Sequence, residues 1–324
     1  MAEQEALLSF AAESHKGPFT RAKVHGFSLL VTGVFYWLPA AIAYVTTRVK
    51  SAPKKAVFGI AVLLAVFVPM KRWDAFARSQ FWDEVLKYFR VRIVGREPPR
   101  PYPGRSVMYG VAPHGIVPFS VGLMQYGELG KFFASPRITT ATIVKFIPVF
   151  SHMLYLGGAV EATKSEISKV LRANGVAAIT PGGIGEMFLG WPQPGCQPDE
   201  EYALLHDRKG FVRLALENGT TLVPIFCFGA SSIFSRVVLP AALETASRYL
   251  RASIMLFFGK GYLPIPYEAP LTYALGEHIV LKATPNPSAE EVDWVHNCFK
   301  RALTATFEQH KHSAGWGNKT LMVR

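Results

Sequence analysis

Two blocks near the start of the chain, Phe27 to Val45 and Ala56 to Met70, contain no charged residue, and the short stretch between them carries Arg48, Lys50, Lys54 and Lys55. A helix rises about 1.5 Å per residue, so the first block just covers a hydrocarbon core roughly 30 Å thick and the second falls short of it. Uncharged runs of this length around a basic turn predict a helical hairpin in a membrane; two buried helices of a soluble domain are the alternative. Lys16, Arg21 and Lys23 precede the blocks and Lys71, Arg72 and Arg78 follow them, so the distribution of positive charge gives no orientation. Either two spans cross, or a hairpin enters one leaflet and returns, with Pro39 supplying a kink. Both leave the N-terminus and the long remainder on one face. Residues 1–26 mix Glu3, Glu5 and Glu13 with basic residues and lack the order of a signal peptide, so they are expected to form a cytosolic tail.

Half of the 324 residues are hydrophobic and 13% are aromatic, which allows a sizeable core and excludes disorder. A net charge of +12 with a mean hydropathy of +0.19 suits attraction to an anionic surface: membrane phosphates, nucleic acid or a phosphorylated cofactor. Nucleic acid is the weakest of these, because the aromatic residues cluster with apolar ones and not with basic ones. Cys196, Cys227 and Cys298 are too few and scattered for a disulfide framework or a metal site, and His206, His278 and His296 have no metal-ligand spacing, so no metal is expected. The cysteines are expected to be small core or loop residues in a cytosol-facing catalytic part.

Between residues 73 and 92, Trp73, Phe76, Ala77, Phe81, Val85, Tyr88 and Phe89 recur at helical spacing, with arginines among the remaining positions. This predicts a helix that either lies at the lipid headgroup level or packs into the core. The run Glu97 to Gly104, with Pro98, Pro99, Pro101 and Pro103, ends it and serves as a linker. From Arg105 onward, strand-like runs at 106–111, 139–144, 176–180, 221–228 and 254–258 alternate with helix patterns. One helix opens with the capping sequence Thr163-Lys164-Ser165-Glu166 and ends at Gly175. Another runs from Phe211 to Asn218 before Gly219, and a third opens with Ser288-Ala289-Glu290-Glu291. In the last, Val292, Val295, Phe299, Leu303 and Phe307 form one apolar face, and His310-Lys311-His312 is expected to be its solvated end. The expected fold is therefore α/β, a mixed, largely parallel sheet flanked by helices and preceded by the hairpin. Its segments are 1–26 (tail), 27–70 (hairpin), 71–104 (interfacial helix and linker) and 105–324 (catalytic domain).

In such sheets the chemistry gathers at the carboxyl ends of strands. Two stretches qualify. Ala112-Pro113-His114-Gly115 releases a histidine from a buried strand into a turn, a suitable place for a general base. Thr180-Pro181-Gly182-Gly183-Ile184-Gly185-Glu186 is neither a Walker-type phosphate loop nor a dinucleotide fingerprint; its glycines permit close backbone approach, and Glu186 is the first carboxylate beyond the turn. A Glu186 that accepts the imidazole Nδ1–H of His114 would leave Nε2 free for a proton. Arg208 and Lys209 coincide with a helix N-terminus and form a candidate phosphate site. The loop Leu189 to Glu200 is either a surface excursion or a lid over the site. No Gly-x-Ser-x-Gly elbow is present, which argues against a serine nucleophile.

Taken together, Tyr109 to Gly115, Pro181 to Glu186, Arg208-Lys209-Gly210-Phe211, Leu222-Val223-Pro224, Phe228-Gly229 and Gly259-Lys260-Gly261 resemble the type 2 diacylglycerol acyltransferase family, which includes monoacylglycerol and wax-alcohol acyltransferases. The resemblance runs from about Arg105 to the C-terminus. It implies a glycerolipid-acyltransferase-like fold and direct transfer of an acyl group from acyl-CoA to diacylglycerol, with monoacylglycerol or a fatty alcohol as the alternative acceptor. It also implies His114 as general base, Glu186 as its partner and no cofactor beyond acyl-CoA as co-substrate. The oxyanion falls to backbone groups of Pro113, Gly115, Gly182 and Gly183, and the acyl-CoA phosphates to Arg208 and Lys209. The implied location is the endoplasmic reticulum membrane or a lipid droplet, with the catalytic domain facing the cytosol. Three positions depart from the family: Ala112 replaces the first histidine of its block, Phe119 stands where related glycerol-phosphate acyltransferases carry an aspartate, and Ala230 replaces an acidic residue. A membrane-tethered lipid-binding or transfer protein without catalysis is the alternative of another class.

Overall fold

The computed structural model describes residues 6–10, 17–238, 240–250 and 255–324. Residues 1–5 and 11–16 of the expected tail, and Ile254 of the last expected strand, lie outside them. In chain order the strands are β1 Leu8–Ser9, β2 Arg92–Gly95, β3 Val107–Ala112, β4 Arg137–Thr140, β5 Val160–Glu161, β6 Val176–Ile179, β7 Glu200–Ala203, β8 Thr221–Phe228, β9 Ser235–Arg236, β10 Phe257–Phe258, β11 Thr272–Leu275, β12 Ile279–Val280 and β13 Thr320–Val323. The helices are α1 Pro18–Val31, α2 Val34–Arg48, α3 Ala52–Phe67, α4 Asp74–Ala77, α5 Gln80–Tyr88, α6 Phe119–Leu123, α7 Gly127–Phe132, α8 Phe150–Gly157, α9 Lys164–Arg172, α10 Gly183–Glu186, α11 Gly210–Asn218, α12 Ala241–Leu250 and α13 Ala289–His310.

The main sheet has the order β1-β2-β11-β8-β3-β6-β4-β5. From β8 through β5 every pairing is parallel; β11 and β12 run antiparallel to β8, and β1 antiparallel to β2. The sheet is thus mixed and largely parallel, and helices cover both faces. That is why β3 and β8 read as unbroken apolar runs with no alternation. Val107, Tyr109 and Val111 of β3, with Val223, Ile225 and Cys227 of β8, face a core shared with α1, α5 and α6. Met108 and Ala112, with Leu222, Phe226 and Phe228, face a second core shared with α9, α11 and α13.

Several boundaries move. The strand expected at 139–144 begins earlier, and Thr142–Phe146 leaves the sheet as a single 3-10 turn. Among the described residues of the strand expected at 254–258, Phe257–Phe258 form β10, which pairs with β9 in a separate ribbon. The helix expected at 73–92 divides into α4 and α5, and Arg92 opens β2. Trp82, Leu86, Tyr88 and Phe89 are buried, so α5 packs into the core, whereas Trp73 stays 58% exposed. The sheet also takes in β1 and β2, from outside the expected catalytic segment, because Leu8 pairs with Ile93 and β2 lies along β11. His310 is not at a solvated end; it follows Phe307 on the inner face of α13 and is 1% exposed.

The first apolar block is not one helix. It breaks at Gly33, where α1 and α2 meet at 50°. A Cβ on Gly33 would stand 1.9 Å from the Leu29 carbonyl oxygen, so only glycine permits this close turn. Pro39 lies within α2. With 15 and 16 residues, α2 and α3 are about 22 and 24 Å long. Among the described residues no single helix is long and apolar enough to cross a membrane, although α1 and α2 together pass by length and composition. No residue of α3 is buried, and its Val57, Ile60, Leu63, Leu64 and Phe67 are each more than half exposed.

The last helix is seated by a missing side chain. A Cβ on Gly110, in the middle of β3, would lie 2.6 Å from the Phe299 ring of α13. Phe299 therefore rests on bare strand backbone. Gly110→Ala should cost about 1–3 kcal/mol by overpacking, and Phe299→Leu in the same chain should recover part of the loss. Denaturant unfolding of the single and double variants measures this, and additive costs would refute the contact.

Candidate active site

His114 emerges from the carboxyl end of β3, after a cis Ala112–Pro113 bond, and the glycine turn emerges from the end of the neighbouring β6. Sheet topology therefore brings the two sequence motifs together. The Glu186 side chain folds back beneath the glycine turn and is 4% exposed. Its Oε2 accepts the His114 backbone N–H at 2.6 Å, and its Oε1 accepts the Leu204 backbone N–H at 2.8 Å. A Cβ on Gly182 would stand 2.5 Å from the Glu186 carboxyl carbon. The glycine is thus the space that the carboxylate fills.

This corrects the expected pairing. Glu186 holds the backbone of His114, not its ring. The ring is oriented by its own neighbour, with Nδ1 2.8 Å from the Gly115 carbonyl oxygen. A carbonyl can only accept, so Nδ1 carries the proton and Nε2 is left with its lone pair. Gly115 adopts φ +69°, and a Cβ there would meet the Ala230 carbonyl oxygen at 2.8 Å, so the turn sits directly on the backbone at Ala230.

Burial lowers the affinity of the His114 imidazole for a proton, and the Gly115 carbonyl partly offsets this. The same effect acts with opposite sign on Glu186. Burial pushes its carboxyl up to about 7, against the Leu204 and His114 N–H bonds and the Arg208 charge, which pull it down. The two groups are consequently poised to be neutral imidazole and carboxylate only above about pH 7.

His114 lines a cavity of about 920 Å³ whose walls are mainly apolar, among them Phe27, Phe35, Val121, Ile143, Phe146 and Phe150. Trp82 and Tyr126, stacked with centroids 3.6 Å apart, line its most buried part, and Ile143 and Phe146 lie exposed at its rim. Gly182, Gly183 and Arg208 also line it. Among the described residues Arg208 has no ion pair or side-chain hydrogen bond, whereas Lys209 is bound to Asp293 of α13 at 2.6 Å and faces away from the cavity. The structure thus separates the two cations that sequence placed together.

The four backbone positions expected to hold an oxyanion separate as well. Pro113 has no N–H, and the Gly183 N–H bonds to the Thr180 carbonyl. Pro113 and Gly115 line a second cavity of about 590 Å³. Gly182 alone of the four lines the first cavity with an N–H that donates to no described residue. The loop Leu189 to Glu200 covers the second cavity, not the first. Arg236 fastens it by bonds to the Met187 and Gly190 carbonyls. Sequence gave no sign of Leu204, which acts through its backbone, or of β13, which pairs with β7 just before Leu204.

The fit of Glu186 beneath Gly182 sets a measurable cost. Gly182→Ala should displace the carboxylate and speed amide hydrogen exchange at both His114 and Leu204 by about tenfold or more. Unchanged exchange at both would show that the two N–H bonds do not depend on this fit.

The diacylglycerol acyltransferase family profile matches residues 64–324. Diacylglycerol O-acyltransferase 2 of Danio rerio is 26% identical over 263 residues, covering 75% of this chain and 70% of that one. Acyl-CoA wax alcohol acyltransferase 1 of Mus musculus is 27% identical over 295 residues, covering 84% and 87%. 2-acylglycerol O-acyltransferase 1 of the same species is 27% identical over 264 residues, covering 76% of each. Among solved structures, the 1-acyl-sn-glycerophosphate acyltransferase PlsC of Thermotoga maritima aligns with a TM-score of 0.41 and 15% identity over 87% of this chain and 95% of that one. Matched from α3 to its last residue, the chain belongs to the diacylglycerol acyltransferase family.

Proposed function

We propose that this chain is an acyl-CoA-dependent O-acyltransferase that esterifies diacylglycerol to triacylglycerol. One observation carries the reading: His114, with Nδ1 committed to the Gly115 carbonyl, lines a large apolar cavity whose wall carries Arg208, a cation that among the described residues makes no ion pair. Apolar walls suit acyl chains, and a guanidinium on the wall suits the phosphates of coenzyme A.

In this mechanism Nε2 of His114 takes the proton of the acceptor hydroxyl as its oxygen attacks the thioester carbon. The Gly182 N–H steadies the resulting oxyanion. Collapse of the tetrahedral intermediate breaks the C–S bond, and the imidazolium returns its proton to the departing thiolate. Glu186 touches none of the reacting atoms; it fixes the turn that carries the base. On the same reading α2 and α3, too short to span singly and apolar on the outside, insert into one leaflet. The body then faces the cytosol at the endoplasmic reticulum membrane or a lipid droplet.

Supplying membranes that contain the chain with labelled acyl-CoA, and diacylglycerol, monoacylglycerol or a long-chain alcohol in parallel, tests the activity and its acceptor. Triacylglycerol should dominate; a dominant wax ester would overturn the choice of acceptor, and no product with any acceptor would overturn the activity. His114→Ala should lower turnover by about 10²- to 10⁴-fold. Arg208→Glu should raise KM for acyl-CoA about tenfold or more, whereas Lys209→Glu, at a residue already paired with Asp293, should not.

The pH dependence follows from the sign of the shift. Glu186 is protonated below about 7, so activity should fall as pH drops through about 7 and be full above it. A limb lying well below 6 would show that the ionised carboxylate is not required. Leu64→Glu combined with Phe67→Glu should weaken binding to phosphatidylcholine vesicles by about tenfold or more, and unchanged binding would refute the hairpin as anchor.

A further inference from the structure

A group of charged side chains stands behind Glu186, outside the lipid cavity. The second cavity is lined by Glu186, Glu201, Tyr202, Ser231, Arg236 and Lys319. Pro113 and Gly115 line it while His114 lines the first, so the histidine turn divides the two. Glu201 is 6% exposed and accepts from the Lys319 ammonium at 2.7 Å. That ammonium also lies over the Trp316 ring, 4.5 Å from its centroid. Lys319 immediately precedes β13, and the parallel register sets Leu321 opposite Glu201, so a single ladder fixes both ends of the ion pair.

Among the described residues β7 belongs to no other sheet; β13 is its one partner. Directly after β7 comes Leu204, whose N–H holds Glu186. The next two N–H groups, of Leu205 and His206, bond to the Arg324 carbonyl. The chain that carries the Leu204 donor is therefore held on both sides of that residue by the segment 320–324.

We propose that the Glu201–Lys319 pair and the β7–β13 ladder position Glu186, and through it the His114 turn, for acyl transfer. The proposal rests on the reading of His114 as general base. Two buried carboxylates on one cavity wall repel each other, and Lys319 cancels the charge of Glu201. Removing Lys319 exposes Glu186 to that charge and disfavours its ionised form; removing Glu201 favours it. The remaining charged neighbours stay in place in both variants. Arg208 faces Glu186 from the segment before α11, His114 from the end of β3, and Glu200 and Arg236 from the cavity wall.

The test compares the full chain in membranes with Lys319→Arg, Lys319→Gln, Glu201→Gln and the double Glu201→Gln/Lys319→Gln, recording kcat, KM for acyl-CoA, the pH–rate profile and the thermal midpoint. Lys319→Arg should rescue turnover to near wild type. Lys319→Gln should lower kcat about tenfold with KM unchanged, and move the acid limb to higher pH. Glu201→Gln should move the limb to lower pH, and the double variant should bring it back. The opposite shifts separate positioning from mere stability, which would move midpoints but not limbs. Limbs that stay fixed, or move the same way in both single variants, overturn the proposal. A wild-type chain that forms no product overturns the base reading and this proposal with it.

Discussion

The structure of the site depends on one buried carboxylate. Glu186 lies beneath its own turn because Gly182 has no side chain to exclude it, and its two oxygens gather N–H groups from the ends of two separate segments. A carboxylate taken out of water needs such donors, and the donors in turn acquire fixed positions. The loop after β3, the loop after β6 and the segment after β7 thus meet at one group. Hydrogen bonds of this kind, made to a charged acceptor in a poorly solvated place, are stronger than neutral ones and correspondingly directional. What reaches His114 from Glu186 is therefore geometry rather than proton affinity.

Much of the fold was legible because both faces of the sheet are covered. β8 matches its expected limits, and β3 and β6 nearly do, since unbroken apolar runs can only be central strands in such a layered protein. The capping sequences at Thr163 and Ser288 mark helix starts in the structure, each with its side chain accepting the expected backbone N–H. Less legible was anything decided by tertiary partners. The aromatic stripe of residues 73–92 is compatible with a lipid surface or a protein core, and the stacking of Trp82 on Tyr126 selects the core. Pairings between short strands far apart in sequence, β1 with β2 and β7 with β13, leave no periodic signature.

For the site, residue identity carried further than contact. That His114 and Glu186 lie close together was legible from their places at strand ends, yet which atom of His114 meets Glu186 was not, because a histidine offers both a ring and a backbone donor. The Arg208-Lys209 pair shows the same limit. Adjacent residues at a helix start point in different directions, and only the position of Asp293 on α13 decides which of them is already neutralised. Departures from the family's motifs also gain meaning from contacts. Ala230 presents its carbonyl to the Gly115 turn, so what matters there is a close backbone approach, not a charge.

Gly33 extends this reasoning beyond the site. Because the Leu29 carbonyl occupies the volume where a side chain would begin, the bend between α1 and α2 is a hard stop and not a soft hinge. α1 is tied to the body at one end of the bend, with Thr20 bonded to Glu84 and Thr32 to the Pro264 carbonyl. The direction in which the outward-facing apolar hairpin leaves the body is thereby set by a single hydrogen atom where other residues carry carbon. Where the apolar surface of α3 points relative to the sheet is thus tied to one residue far from the candidate site.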